Sequence, residues 1–146
     1  MSNFWVKSKA MSKIFLSLFF LLFSSSIFAQ QNKLSVVWDL NNADTSIQGA
    51  VFRQINNARA QKPNLEIEVV FHGHAVKSLL KVDKSFEERV KMAKEKGVTI
   101  AVCNNSLKRL KIDPSELMQE VTVVPSAVVE LIVKQAEGWS YIKAGN

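Results

Sequence analysis

Residues 98–107 read VTIAVCNNSL. Five residues that are apolar or β-branched run into the chain's only cysteine, Cys103, and then into Asn104, Asn105 and Ser106, all types favoured at helix starts. That is the wording of a buried strand turning into a helix. A thiol so placed lies at the carboxyl end of a strand, near backbone N–H groups whose partial positive charge favours the thiolate. Chemistry, if the chain performs any, is expected at Cys103.

The same alternation extends in both directions. Upstream, Phe86, Val90 and Ala93 give residues 86–96 the spacing of an amphipathic helix, and Gly97 after a lysine-rich turn ends it. Residues 65–71, LEIEVVF, alternate and then become wholly apolar, as a strand does on entering a covered sheet. His72, Gly73 and His74 follow, then a short helix over 75–80 and a charged connection. Earlier still, KLSVVWD (33–39) reads as a strand ending at Asp39, and Asn41, Asn42 and Asp44 supply loop and capping chemistry. Ile47, Val51, Ile55 and Ala58 then predict a helix over 45–61.

Downstream, the helix after Cys103 reaches about Leu110, and Asp113 with Pro114 opens a short turn or helix. Residues 121–124 make a short strand closed by Pro125. Ser126 is expected to cap a helix over 127–136 carrying Val128, Leu131, Ile132 and Gln135; Gly138 breaks it, and 139–144 reads as a last strand. About five alternations of strand and helix predict an α/β fold with a parallel sheet covered on both faces. Ligands of such sheets lie beyond the carboxyl ends of the strands. Asp39, His72, His74, Cys103 and the Pro125–Ser126 turn all fall there.

The first 29 residues are set apart from the fold. Lys7, Lys9 and Lys13 precede an apolar run over 14–23, three serines, and Ala29, the layout of a cleaved signal peptide. The alternative is an uncleaved anchor, although the run falls short of the roughly 20 apolar residues of a membrane span. Met11 is an alternative start. Cleavage after Ala29 would leave residues 30–146, one domain of 117 residues, and loss of three lysines would lower the net charge from +6 to +3. The remaining charges are spread, and the cluster Lys108, Arg109, Lys111 reads as a solvated helix end, so no nucleic-acid partner is expected.

A single cysteine in an exported chain forms no internal disulfide and completes no CxxC redox pair; it is a structural thiol, an intermolecular partner or a reactive group. Its bland reading is a small buried hydrophobe. His72 and His74, spaced i and i+2, would share one side of an extended segment, but two histidines without a third ligand leave metal binding unsupported. Either histidine would hold the thiolate or shuttle a proton, or simply bond within its loop. Asp39 with Asn41 and Asn42 reads mainly as a strand end, with polar-ligand binding the alternative. A glycine-rich phosphate loop and a GxSxG elbow are both lacking, which disfavours a nicotinamide, flavin or serine-hydrolase enzyme; no cofactor is expected. Trp38, Trp139 and Tyr141 read as core or subunit-interface residues.

Four phrases in order, VVFHGHAV (69–76), GVTIAVCNNSL (97–107), VVPSAVVEL (123–131) and QAEGWSYIKAG (135–145), resemble the DsrE/DsrF-like family of sulfur-relay proteins, which includes the TusD type. The resemblance implies a three-layer α/β/α sandwich with a five-stranded parallel sheet, Rossmann-like in layout, and a homo-oligomer, trimer or hexamer. It also implies that Cys103 carries sulfur as a persulfide, making the chain a persulfide carrier or sulfurtransferase with donor and acceptor proteins. Asp39, His72, His74, Asn104 and Asn105 are site-lining by position. A periplasmic or secreted location, without a membrane anchor after cleavage, departs from family members that act inside the cell. The rival expectation is a non-catalytic ligand-binding or oligomeric accessory protein of the same fold.

Overall fold

The computed structural model describes residues 33–145; the signal-peptide reading of residues 1–29 lies outside them. Five strands form one parallel sheet: β1 (Ser35–Leu40), β2 (Glu66–Phe71), β3 (Thr99–Cys103), β4 (Val121–Val124) and β5 (Ser140–Lys143), in the order β4-β3-β2-β1-β5. Four α-helices connect them: α1 (Thr45–Gln61), α2 (Lys84–Glu95), α3 (Asn104–Leu110) and α4 (Ala127–Ala136). Two 3₁₀ segments, Gly73–Leu79 and Pro114–Glu116, complete the connections. Among the described residues, no helix is long and apolar enough to cross a membrane.

The strand sequence alternates because the sheet is covered unequally. Val36, Trp38, Leu40, Ile67, Val69, Phe71, Ile100 and Val102 point to one face, where α1, α2, α3 and the 3₁₀ segment Gly73–Leu79 add Val51, Ile55, Val90, Leu107 and Leu79. Phe71, Leu40 and Ile100 are fully buried in the central strands, each worth about 1.5–3 kcal/mol by apolar transfer. The opposite face carries a smaller cluster, Val37, Val70, Ala101, Cys103 and Val124, closed by Ala127 and Leu131 of α4. One helix therefore covers what three cover on the other side.

The chain moves outward from β1 to β4 and then returns across the sheet through α4 to lay β5 beside β1. Crossovers between parallel strands keep one hand, so reversing direction moves the connecting helix to the other face. The connection after β3 therefore turns to one side and that after β4 to the other. The carboxyl ends of β3 and β4 are thus the point where neighbouring connections part to opposite faces of the sheet. Cys103 pairs with Val124 at that point.

Two local expectations are corrected. Asn104, Asn105 and Ser106 do not cap α3 from outside: Cys103 itself is the N-cap residue, and the three form the first turn. Ser126 occupies the N-cap of α4, but its side chain makes no capping bond. In α4, moreover, only Ala127 and Leu131 are buried; Val128, Val129, Ile132 and Val133 face outward, 42–65% exposed.

Candidate functional site

Cys103 is 5% exposed, yet its sulfur is not surrounded by hydrocarbon alone. Ala127 N–H, at the start of α4, donates to Sγ at 3.3 Å. Burial pushes the thiol toward its neutral form, but the Ala127 N–H, the Ser106 hydroxyl and the backbone N–H groups of Ser106 and Asn105 together outweigh it and hold the thiol below its ordinary value. Hydrogen bonds to a charged partner contribute about 1.5–3 kcal/mol each, enough for several to reverse a moderate desolvation penalty. The donors come from the first turns of α3 and α4, so the adjacent carboxyl ends of β3 and β4 bring two helix starts to one sulfur.

Ser106 is 7% exposed and links the sulfur to the next strand connection: its Oγ accepts the Gly73 N–H at 2.9 Å while its own proton serves the thiol. Gly73 has φ +59°, and an added Cβ would lie 3.4 Å from the Asn41 carbonyl oxygen. A glycine is needed to turn the chain here, because side-chain-bearing residues rarely adopt that conformation.

A second polar group stands on the same face. His72 Nε2 lies 2.6 Å from Asp39 Oδ1, and the Tyr141 hydroxyl donates to Asp39 Oδ2 at 2.7 Å. Asp39 is 8% exposed, and these bonds satisfy a carboxylate that would otherwise be costly to bury. Asp39 is thus more than a strand end. The expectation that His72 and His74 share a side of an extended segment is corrected: the chain enters the 3₁₀ segment at Gly73, and His74 is exposed upon it while His72 is half-buried against Asp39. Asn104 is half-buried and Asn105 exposed, the latter serving the sulfur through its backbone. Among the described residues no three of His, Cys, Asp and Glu are grouped to hold a metal ion.

The Tyr141 bond gives a direct test. The hydrogen bond to Asp39, burial and the Asp39 charge all raise the hydroxyl's pKa above 10.0. Tyr141 is the chain's only tyrosine, so ultraviolet titration reads it alone. The midpoint is expected above that of the unfolded chain and should fall toward it in Asp39→Asn. Because the folded value is raised, this bond's contribution to stability is complete below pH 10 and is lost as pH rises through the folded value.

Away from this edge, Glu68 on β2 is 4% exposed and lies 3.2 Å from Lys134 Nζ of α4; Glu130 is 3.8 Å from the same nitrogen, which sits 4.5 Å from the Trp139 ring centre. Burial raises the Glu68 pKa in spite of Lys134. The pair pins α4, and with it the Ala127 donor, to the sheet.

A model of the DsrE/DsrF-like family matches residues 19–144. The chain belongs to that family. Among solved DsrE-like folds, a protein of unknown function from Methanobacterium thermoautotrophicum is 29% identical, with 75% of this chain and 98% of that one covered at a TM-score of 0.72. The ychN protein from E. coli is 17% identical over 75% and 98%, TM-score 0.65. A conserved protein of unknown function from Bacteroides thetaiotaomicron is 13% identical over 79% and 98%, TM-score 0.64. No protein of curated function matches this DsrE-family chain.

Proposed function

We propose that this DsrE-family chain carries sulfane sulfur on Cys103. The observation that supports it is the convergence of Ala127, Ser106 and Asn105 donors on one sulfur at the carboxyl end of β3. The thiolate attacks the outer sulfur of a persulfide R–S–S–H. A new S–S bond forms at Sγ as the donor's S–S bond breaks, the donor leaves as a thiolate that takes a proton, and Cys103 becomes Cys103–S–S–H. An acceptor thiolate then attacks the terminal sulfur and returns Cys103 to its thiolate. No net oxidation occurs, so the cycle needs a donor and an acceptor and no cofactor.

The test is intact mass after incubation with glutathione persulfide, the expected result being one added sulfur removable by reductant. A chain that gains none defeats the proposal. The burial of Cys103 favours a second reading, a non-catalytic ligand-binding or accessory role, in which the native thiol resists modification until the chain unfolds. As part of the same proposal the protein is exported to the periplasm or beyond, with cleavage after Ala29 read by the same intact mass of protein recovered from cells. It also assembles with copies of itself: Val128, Val129, Ile132 and Val133 present an apolar helix face of the kind that monomers seldom expose. Sedimentation velocity reads the assembly.

A further inference from the structure

Asp39, Val70 and Ala101 are paired across β1, β2 and β3, and side chains two residues further along each strand return to the same face. Cys103 is that residue on β3, and His72, in extended conformation one residue beyond the end of β2, is its counterpart, each one step past the paired Phe71 and Val102. The His72 N–H still bonds Leu40 across the ladder at 3.0 Å, so the extended pattern holds at this position. Neighbouring strands lie about 4.8 Å apart. Tyr141 pairs with Val37 and so shares the face too.

This row has an order. Tyr141 O–H and His72 Nε2–H both donate to the Asp39 carboxylate, which fixes the imidazole and leaves Nδ1 as its exchangeable nitrogen. The His72 side chain is 25% exposed, against 11% for Asp39, so an arriving molecule can reach the imidazole although the carboxylate behind it is covered. When a thiolate attacks a persulfide, the three sulfurs align, and two S–S separations of about 2 Å each put the departing sulfur roughly 4 Å from Sγ. That is about one strand spacing.

We propose that His72 is the proton donor to the thiolate that leaves when Cys103 takes up sulfur, with Asp39 and Tyr141 as its positioning residues. The inference rests on the sulfur-carrier reading above. Sγ bonds to the outer donor sulfur, the donor S–S bond breaks with its electron pair staying on the inner sulfur, and that sulfur receives the Nδ1 proton of the imidazolium. In transfer to an acceptor the neutral Nδ1 takes the proton of the attacking thiol. Proton transfer of this kind accounts for 10²–10⁴-fold in rate where the leaving group needs it.

The experiment follows Cys103 loading from glutathione persulfide by intact mass over time in wild type, His72→Gln and His72→Ala, with iodoacetamide alkylation of the same thiol in parallel. Glutamine retains a donor for Asp39 but exchanges no proton, and alkylation needs no proton donor. The expected result is loading slowed about tenfold or more in His72→Gln, alkylation changed by less than about twofold, and recovery of loading in His72→Ala when free imidazole is added. Wild-type loading rates in His72→Gln overturn the inference and leave the sulfur-carrier reading standing. Loading and alkylation that fall together without imidazole rescue mark His72 as structural and overturn it as well. A wild-type chain that takes no sulfur removes the carrier reading, and the inference with it.

Discussion

Cys103→Ser is expected to take up no sulfur from glutathione persulfide while the fold stands. Serine keeps an acceptor for the Ala127 N–H, which now meets Sγ at 3.3 Å, and it fits the half-polar nest formed with Ser106. A hydroxyl does not ionise near neutrality and has no base in bonding contact to activate it, so the reaction stops at its first step. The stability cost should stay within about 1–2 kcal/mol, since the change swaps one small polarisable atom for a more polar one in a partly satisfied site. An adduct of equal size in this variant would place the reactive group elsewhere in the chain.

Lys134→Met is expected to destabilise the protein strongly near neutral pH and little in acid. Methionine keeps the aliphatic stem over Trp139 but removes the cation from Glu68, whose Oε1 already lacks a hydrogen-bond partner among the described residues. Breaking a buried pair from one side costs about 3–5 kcal/mol because the other charge is left unmatched. Protonation of Glu68 limits that cost to about 1.4 kcal/mol for each pH unit above its unfolded value. The sign follows from the raised pKa: the native state binds the proton more tightly, so the stability linked to Glu68 is complete below its unfolded pKa and is lost as pH rises through the folded value. Thermal denaturation of Lys134→Met from pH 4 to 8 should show melting falling with pH, and Glu68→Gln in the same background should flatten the curve. A flat curve in Lys134→Met itself would mean that Glu68 is well solvated.

The residues around Glu68 also show what sequence reasoning reaches and what it misses. Helices over Thr45–Gln61 and Ala127–Ala136 and the strand Val121–Val124 fall where periodicity, capping types, Pro125 and Gly138 place them. These are local signals. Cys103, Asp39 and His72 come to the carboxyl edge because alternating strands and helices force every such end to one side. The pairings are another matter. Asp39 meets His72 across 33 positions and Tyr141 across 102, and nothing in the wording near any of the three announces the other two. Ser106 reads as a capping type, and only the fold reveals that its hydroxyl joins Gly73 to the thiol. Glu68 carries a local signal of its own: a carboxylate one residue before the apolar run of a central strand is buried, and a buried carboxylate needs a cation. The outward turn of Val128 and Ile132 follows from the single-helix cover of that face, which periodicity alone does not specify.

The central claim is that the donors around Sγ hold the Cys103 thiol's pKa below its ordinary value despite burial. The most direct measurement is the rate of iodoacetamide reaction at this lone thiol as a function of pH, in the native protein and in the urea-unfolded chain. The account predicts a native midpoint below the unfolded one, moving upward in Ser106→Ala as one donor is removed. A native midpoint at or above the unfolded value, or a thiol that reacts only after unfolding, would contradict it.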